Sequence, residues 1–151
     1  LFDFIPYYGA GDASVDGRVR AMVQAAGQEE LCGIDHYGNT LLILAAQYKA
    51  GELMHAILAK DCIDVNAVND AGACALHFAC FSASLDVLVA RALIANGSKV
   101  RVVERTYGCT PLHYAAGSGH VDLCKDLVAA GAIVATCDFH NYTAVDYARQ
   151  A

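Results

Sequence analysis

The chain has 151 residues, of which 56% are hydrophobic and 17% charged, and its formal net charge is −6. That apolar surplus excludes intrinsic disorder, which needs low hydrophobicity and high net charge, and the length fits one domain. The acidic balance argues against general nucleic-acid binding, which rests on neutralising phosphates with Lys and Arg. The longest apolar stretch, Leu85 to Ile94, is interrupted by Asp86 and Arg91, so no run of about 20 apolar residues is available to span a bilayer.

The strongest signal along the chain is internal repetition, which is sought before any secondary-structure assignment. Tyr37-Gly38-Asn39-Thr40-Leu41-Leu42-Ile43-Leu44-Ala45-Ala46 returns as Ala71-Gly72-Ala73-Cys74-Ala75-Leu76-His77-Phe78-Ala79-Cys80. It returns again as Tyr107-Gly108-Cys109-Thr110-Pro111-Leu112-His113-Tyr114-Ala115-Ala116, and in part from His140 through Asn141 and Thr143 to Ala148. Gly38, Gly72, Gly108 and Asn141 mark one position at successive steps of 34, 36 and 33 residues. Gly and Asn tolerate positive φ best, so this position is predicted to be a tight turn.

Within a unit the residues predict helix, turn, helix and a projecting hairpin. Thr110 is a good N-cap, and Pro111 suits the first helical position, where its missing N–H would have no intrahelical partner. Leu112, Ala115 and Ala116 form a small apolar face, and Gly119-His120 ends that helix. Val121 to Ala130 is predicted as the second helix, with Val121, Leu123, Cys124, Leu127 and Val128 apolar, stopped by Gly131. Two added residues are expected between Phe81 and Leu85, since Cys74 to Gly97 takes 23 steps against 21 from Thr110 to Gly131. One more is expected near Tyr48 to Gly51.

The seven cysteines follow this period rather than CxxC pairing, and their odd count cannot pair fully. With no secretory segment at the start, they read as reduced thiols, mostly small buried hydrophobes. The chain opens at Leu1 and closes within the first helix of a unit, which reads as a piece of a longer polypeptide or one lacking its outer turns.

The Thr110-Pro111-Leu112-His113-Tyr114-Ala115 segment and its echoes resemble the ankyrin repeat, with its T-P-L-H-x-A signature at a period of roughly 33 residues. The resemblance implies an all-α ankyrin-repeat solenoid of stacked helix-turn-helix units with projecting β-hairpin loops. In chain order it implies an aromatic N-terminal extension over 1–12 and a repeat domain over 13–151. The domain divides into a partial leading repeat 13–34, repeats 35–68, 69–104 and 105–137, and a partial trailing repeat 138–151. In the leading part, Asp16 to Val23 resembles a second helix, with Ala25-Ala26-Gly27 at its end. His77 and His113, at the signature position, are implied to hydrogen-bond backbone near the adjacent hairpin, a task suited to one donor and one acceptor. Asn66, in Asp64-Val65-Asn66, resembles the context modified by the asparaginyl hydroxylase of ankyrin domains, but the same triplet is ordinary hairpin sequence in the family.

No motif supports catalysis. The serines lack G-x-S-x-G surroundings, and no Gly-rich phosphate loop precedes Lys-Ser/Thr. Cys137-Asp138-Phe139-His140 and Cys32-Gly33-Ile34-Asp35-His36 have metal-like spacings but stand at opposite ends of a one-dimensional stack, whereas zinc needs four convergent ligands. The expectation is therefore no enzyme activity, no cofactor and no metal, and Cys109 is expected to be exposed on the hairpin side.

The resemblance instead implies a surface, since ankyrin partners bind hairpin tips and the exposed side of the first helix. Carried over by position, the partner-binding candidates are Tyr37, Asn39, Tyr48, Asp70, Phe81, Tyr107, Phe139, His140 and Tyr142. Ala73, Cys109 and Ser82 are further members of that row. Six of the chain's 13 aromatics fall on these positions, and aromatics of this kind dominate protein interfaces. The expected function is a protein–protein interaction scaffold or adaptor, without nucleic acid and without a membrane span, in an intracellular, cytoplasmic setting. The rival readings are a structural subunit of a large assembly and a regulatory ankyrin segment of a larger enzyme or channel.

Overall fold

The computed structural model of the protein describes residues 21, 23–81 and 87–151. The expected extension over 1–12, most of the leading helix and the two-residue expansion between Phe81 and Leu85 lie outside the described residues. Ala21 and Val23 to Ala25 are helical, and a short helix α1 (Gln28–Leu31), not anticipated from sequence, follows Gly27.

Three helix pairs and a final helix then stack in order: α2 (Leu41–Gln47) with α3 (Gly51–Leu58), α4 (Ala75–Phe81) with α5 (Val87–Ala95), α6 (Pro111–Gly117) with α7 (Val121–Ala129), and α8 (Ala144–Gln150). Among the described residues the main helix contacts run within a pair, along the row α2, α4, α6, α8, or along the row α3, α5, α7. The architecture is thus all-α and one-dimensional. Among the described residues, three of the hairpin loops carry a single antiparallel bridge each (Ile34 with Thr40, Val68 with Cys74, Cys137 with Thr143), and no sheet forms.

Side-chain size explains the stacking. First helices bury paired small residues, Ala45-Ala46, Ala79-Cys80 and Ala115-Ala116, which let neighbouring helices approach closely. Second helices bury apolar residues four apart: Leu53 and Ile57, Val89 and Leu93, Leu123 and Leu127. That spacing puts both on one helical face. Together these residues make one continuous core along the stack.

The turns inside the first and third units close by the same device. Gly119 adopts φ +74°, its N–H donates to Ala116 C=O at 3.1 Å, and His120 N–H donates to Ala115 C=O at 3.0 Å. This left-handed residue satisfies carbonyls that the helix end leaves without partners. In the first unit Lys49 does the same job at φ 60°, nine residues after Thr40, as Gly119 is nine after Thr110. The extra residue of that unit is therefore not near Tyr48 to Gly51, as expected, but beyond α3. There α5 and α7 end on left-handed Gly97 and Gly131, whereas the chain from Ala59 to Ile63 offers no glycine and takes a longer turn.

Just past Gly97 the hydroxyl of Ser98 is buried without a hydrogen-bond partner among the described residues. At the matching place in the next unit stands Ala132.

Candidate functional site

The loops on one edge of the stack are built around a carboxylate or amide. Asp35 Oδ1 accepts from Tyr37 N–H and Asn39 N–H, both at 2.8 Å, and Asp138 Oδ1 accepts from His140 N–H and Tyr142 N–H at 2.9 and 2.8 Å. In the third unit Glu104 holds the matching place: Thr106 N–H donates to Oε2 at 2.6 Å, and Tyr107 and Cys109 N–H donate to Oε1 at 2.9 and 3.0 Å. That loop has one residue more than the others, and the longer acid spans it. The unit consequently starts at Glu104, one residue ahead of the boundary expected at Arg105.

Burial alone would raise these carboxyls, but the converging donors outweigh it. Asp35, Glu104 and Asp138 are all held below the usual carboxylate range, because hydrogen bonds to a charged acceptor favour the charged form.

Successive loops are tied to one another. Asp70 N–H donates to Tyr37 C=O (3.1 Å), Arg105 N–H to Ala71 C=O (2.7 Å), and Phe139 N–H to Tyr107 C=O (2.8 Å). Gly38, Gly72 and Gly108 lie beside these bonds with φ between +73° and +77°. A Cβ at Gly38 would fall 2.7 Å from Asp70 Oδ1, and one at Gly108 would fall 2.5 Å from Phe139 Cδ1. Glycine is needed there for conformation and for room, since the next loop occupies the space. Asn141 takes a left-handed φ of 64° at the matching place.

The signature histidines tie helix to loop. His113 Nδ1 accepts from Thr110 N–H at 3.1 Å, which leaves its Nε2 proton to donate to Tyr142 C=O at 3.2 Å. His77 repeats this with Cys74 N–H and Val102 C=O, both at 3.1 Å. Burial pushes His77 below its ordinary value despite those bonds, so it is neutral at pH 7. Pro111 is buried at the start of α6, with Thr110 as its N-cap. Asn66 also acts structurally: its Nδ2 donates to Gly97 C=O at 3.1 Å, and its Oδ1 accepts from Lys99 N–H at 2.7 Å.

Of the partner-binding candidates, Tyr37, Phe81, Tyr107, Phe139 and Tyr142 are well exposed, Tyr48 is at the margin, and Asp70 and His140 are open. Asn39 is not. It is 6% exposed, donates to Asp35 Oδ2 at 3.0 Å and accepts from Asn69 Nδ2 at 2.9 Å, so it joins two loops internally. Cys109, expected at the surface, is also buried: the next unit meets it there, and the thiol lies 3.2 Å from Tyr147 Oη. Ala73 is buried too, and Ser82 lies outside the described residues.

Phe81 and Tyr107 rim a cavity of about 250 Å³ between the second and third units, floored by His77, Phe78 and Tyr114. Phe81 meets Tyr114 edge-on, with centroids 5.5 Å apart and planes at 89°. Phe78, Glu104 and Tyr114 were not singled out in the sequence. A usable signal existed, since Phe78 and Tyr114 each follow the signature histidine, and Asp35, Asn69, Glu104 and Asp138 each precede the turn residue by three or four positions.

The ankyrin repeat family model matches residues 107–139. That stretch is an ankyrin repeat. The geometry on either side extends the same plan, and the fold is an all-α ankyrin-repeat solenoid. Ankyrin repeats serve generally as protein–protein interaction modules and are typically non-catalytic. Among the described residues, no helix is long and apolar enough to cross a membrane.

Proposed function

We propose that this protein is a scaffold or adaptor module that holds a protein partner against the loop tips and the exposed side of its first helices. The observation that carries the reading is the apolar cavity rimmed by Phe81 and Tyr107, continued along the edge by Tyr37, Phe139 and Tyr142. Exposed apolar clusters of this kind mark contact surfaces. Large, stiff aromatic side chains bury much area there at small entropic cost. Asp70 and His140 flank the row as polar rim groups, where charge adjusts specificity more than affinity.

Affinity capture with the intact chain, set against the triple variant Tyr37→Ala, Tyr107→Ala and Tyr142→Ala, tests it. The expected outcome is loss of the captured partner, or binding weaker by at least about tenfold, with the thermal transition within a few degrees of the parent. Retention of every partner by the folded variant would remove the aromatic edge as the binding surface.

A further inference from the structure

The long turn after α3 has a consequence outside the loop edge. It carries Cys62 to the end of α1, where Cys32 Sγ donates to Cys62 C=O at 3.4 Å. Cys32 stands two residues before its loop bridge at Ile34, as Asn66 stands two before Val68. Asn66 uses that place to bond across to the next unit, and Cys32 uses it to reach the next unit with sulfur. Both cysteines line a cavity of about 230 Å³ walled by Leu31, Leu42 and Ile63. Cys32 is exposed and Cys62 partly so, whereas Cys74, Cys80 and Cys109 are buried.

We propose that Cys32 and Cys62 form a dithiol–disulfide site, which a disulfide oxidant such as oxidised glutathione converts into a covalent staple between α1 and the turn after α3. The Cys32 thiolate attacks one sulfur of oxidised glutathione, forming a mixed disulfide and releasing one glutathione thiolate. The Cys62 thiolate then attacks the Cys32 sulfur, closing the protein disulfide and releasing the second glutathione. The two thiol protons leave with the two reduced glutathiones, so the protein loses two electrons and the oxidant gains them. Loss of hydration, then the neighbouring Cys62 thiol, push the Cys32 thiol above its ordinary value, so the first step accelerates as pH rises.

The staple joins residues 30 apart, a span long enough for a marked restriction of the unfolded chain. It would act on the short helix α1. Helix α1 has four residues and no side-chain cap, and Leu31 is the one residue it buries.

The reduced 151-residue chain, incubated with oxidised and reduced glutathione at pH 8, alkylated while denatured and digested, gives the test by mass spectrometry. The expected result is a cross-linked peptide pair containing Cys32 and Cys62, with a thermal midpoint about 5–10 °C above the reduced protein. The Cys62→Ser variant should stop at the glutathione adduct on Cys32 and show no such rise. Adducts on Cys32 without the cross-linked pair in the unmodified sequence would overturn the proposal. So would a disulfide drawn preferentially from Cys124 or Cys137.

Discussion

The first and third units perform the same tasks with different residues. In the third, His113 links Thr110 to the Tyr142 carbonyl of the next loop. In the first, Ile43 holds that place, fully buried among apolar neighbours, while the loops are joined through Asn39 and Asn69 instead. The third closes its helix-helix turn with Gly119, the first with Lys49 in the same left-handed conformation. The third ends its second helix on Gly131, and the first substitutes a longer turn that brings Cys62 to Cys32. The lesson is that each unit must satisfy a fixed set of backbone groups, and several residue types can do so. Where the neighbour leaves no space, as at Gly38 and Gly108, only one type fits.

Substitution at the two kinds of left-handed glycine gives the widest separation. Gly108→Ala adds left-handed strain and drives a methyl into the Phe139 ring, for a loss of about 2–3 kcal/mol. Gly119→Ala, with nothing within 4 Å of its Cβ, should lose about 1 kcal/mol, the strain alone. Urea denaturation measures both, and equal losses would show that loop packing imposes nothing beyond backbone conformation.

Transplanting the first unit's choice into the third comes next. His113→Ile should destabilise by about 2 kcal/mol, because Thr110 N–H and Tyr142 C=O lose their partner without an Asn–Asn bridge to replace it. Adding an asparagine at position 109 and another at position 138 would show whether the bridge is portable.

The smallest effect is carried by the loop carboxylates. Their lowered values mean stabilisation that is complete above the unfolded-state range, 4.5 for Glu104 and 3.8 for Asp35 and Asp138. It is lost as pH falls through the lower folded values. His77, also lowered, must take up a proton on unfolding below 6.5, so its contribution too declines with acidification. Glu104→Gln should lose about 1 kcal/mol at pH 7, and the gap to the parent should narrow as pH falls below 4.5. A gap independent of pH would mean that Glu104 acts by shape alone.

The repeat, its period and the helix pair were legible because they rest on local rules. Left-handed turns select Gly or Asn, N-caps select Thr, and small residues recur where helices must approach. The role of His77 and His113 came from the resemblance to the ankyrin repeat, and both bond a carbonyl in the loop after their own helix pair. Carry-over by position failed for Asn39 and Cys109, whose positions along the loop match exposed tips. Two residues ahead of α2, α4 and α6 the side chain is buried in the short loops and in the longer one alike (Asn39, Ala73, Cys109), because the next unit meets it there, through Asn69 at Asn39 and through Tyr147 at Cys109. The added residue of the first unit was misplaced for a different reason. Lys49 does not look like a glycine, yet it closes the same turn.

From sequence alone, then, this protein was bound to be a row of helix pairs, since periodic small and branched apolar residues can be buried only against copies of the same unit. The fold alone decided which aromatics reach solvent around one cavity and that the Cys32 thiol reaches the Cys62 carbonyl. Both outcomes depend on loops from different units being brought together, and no spacing within one unit encodes that.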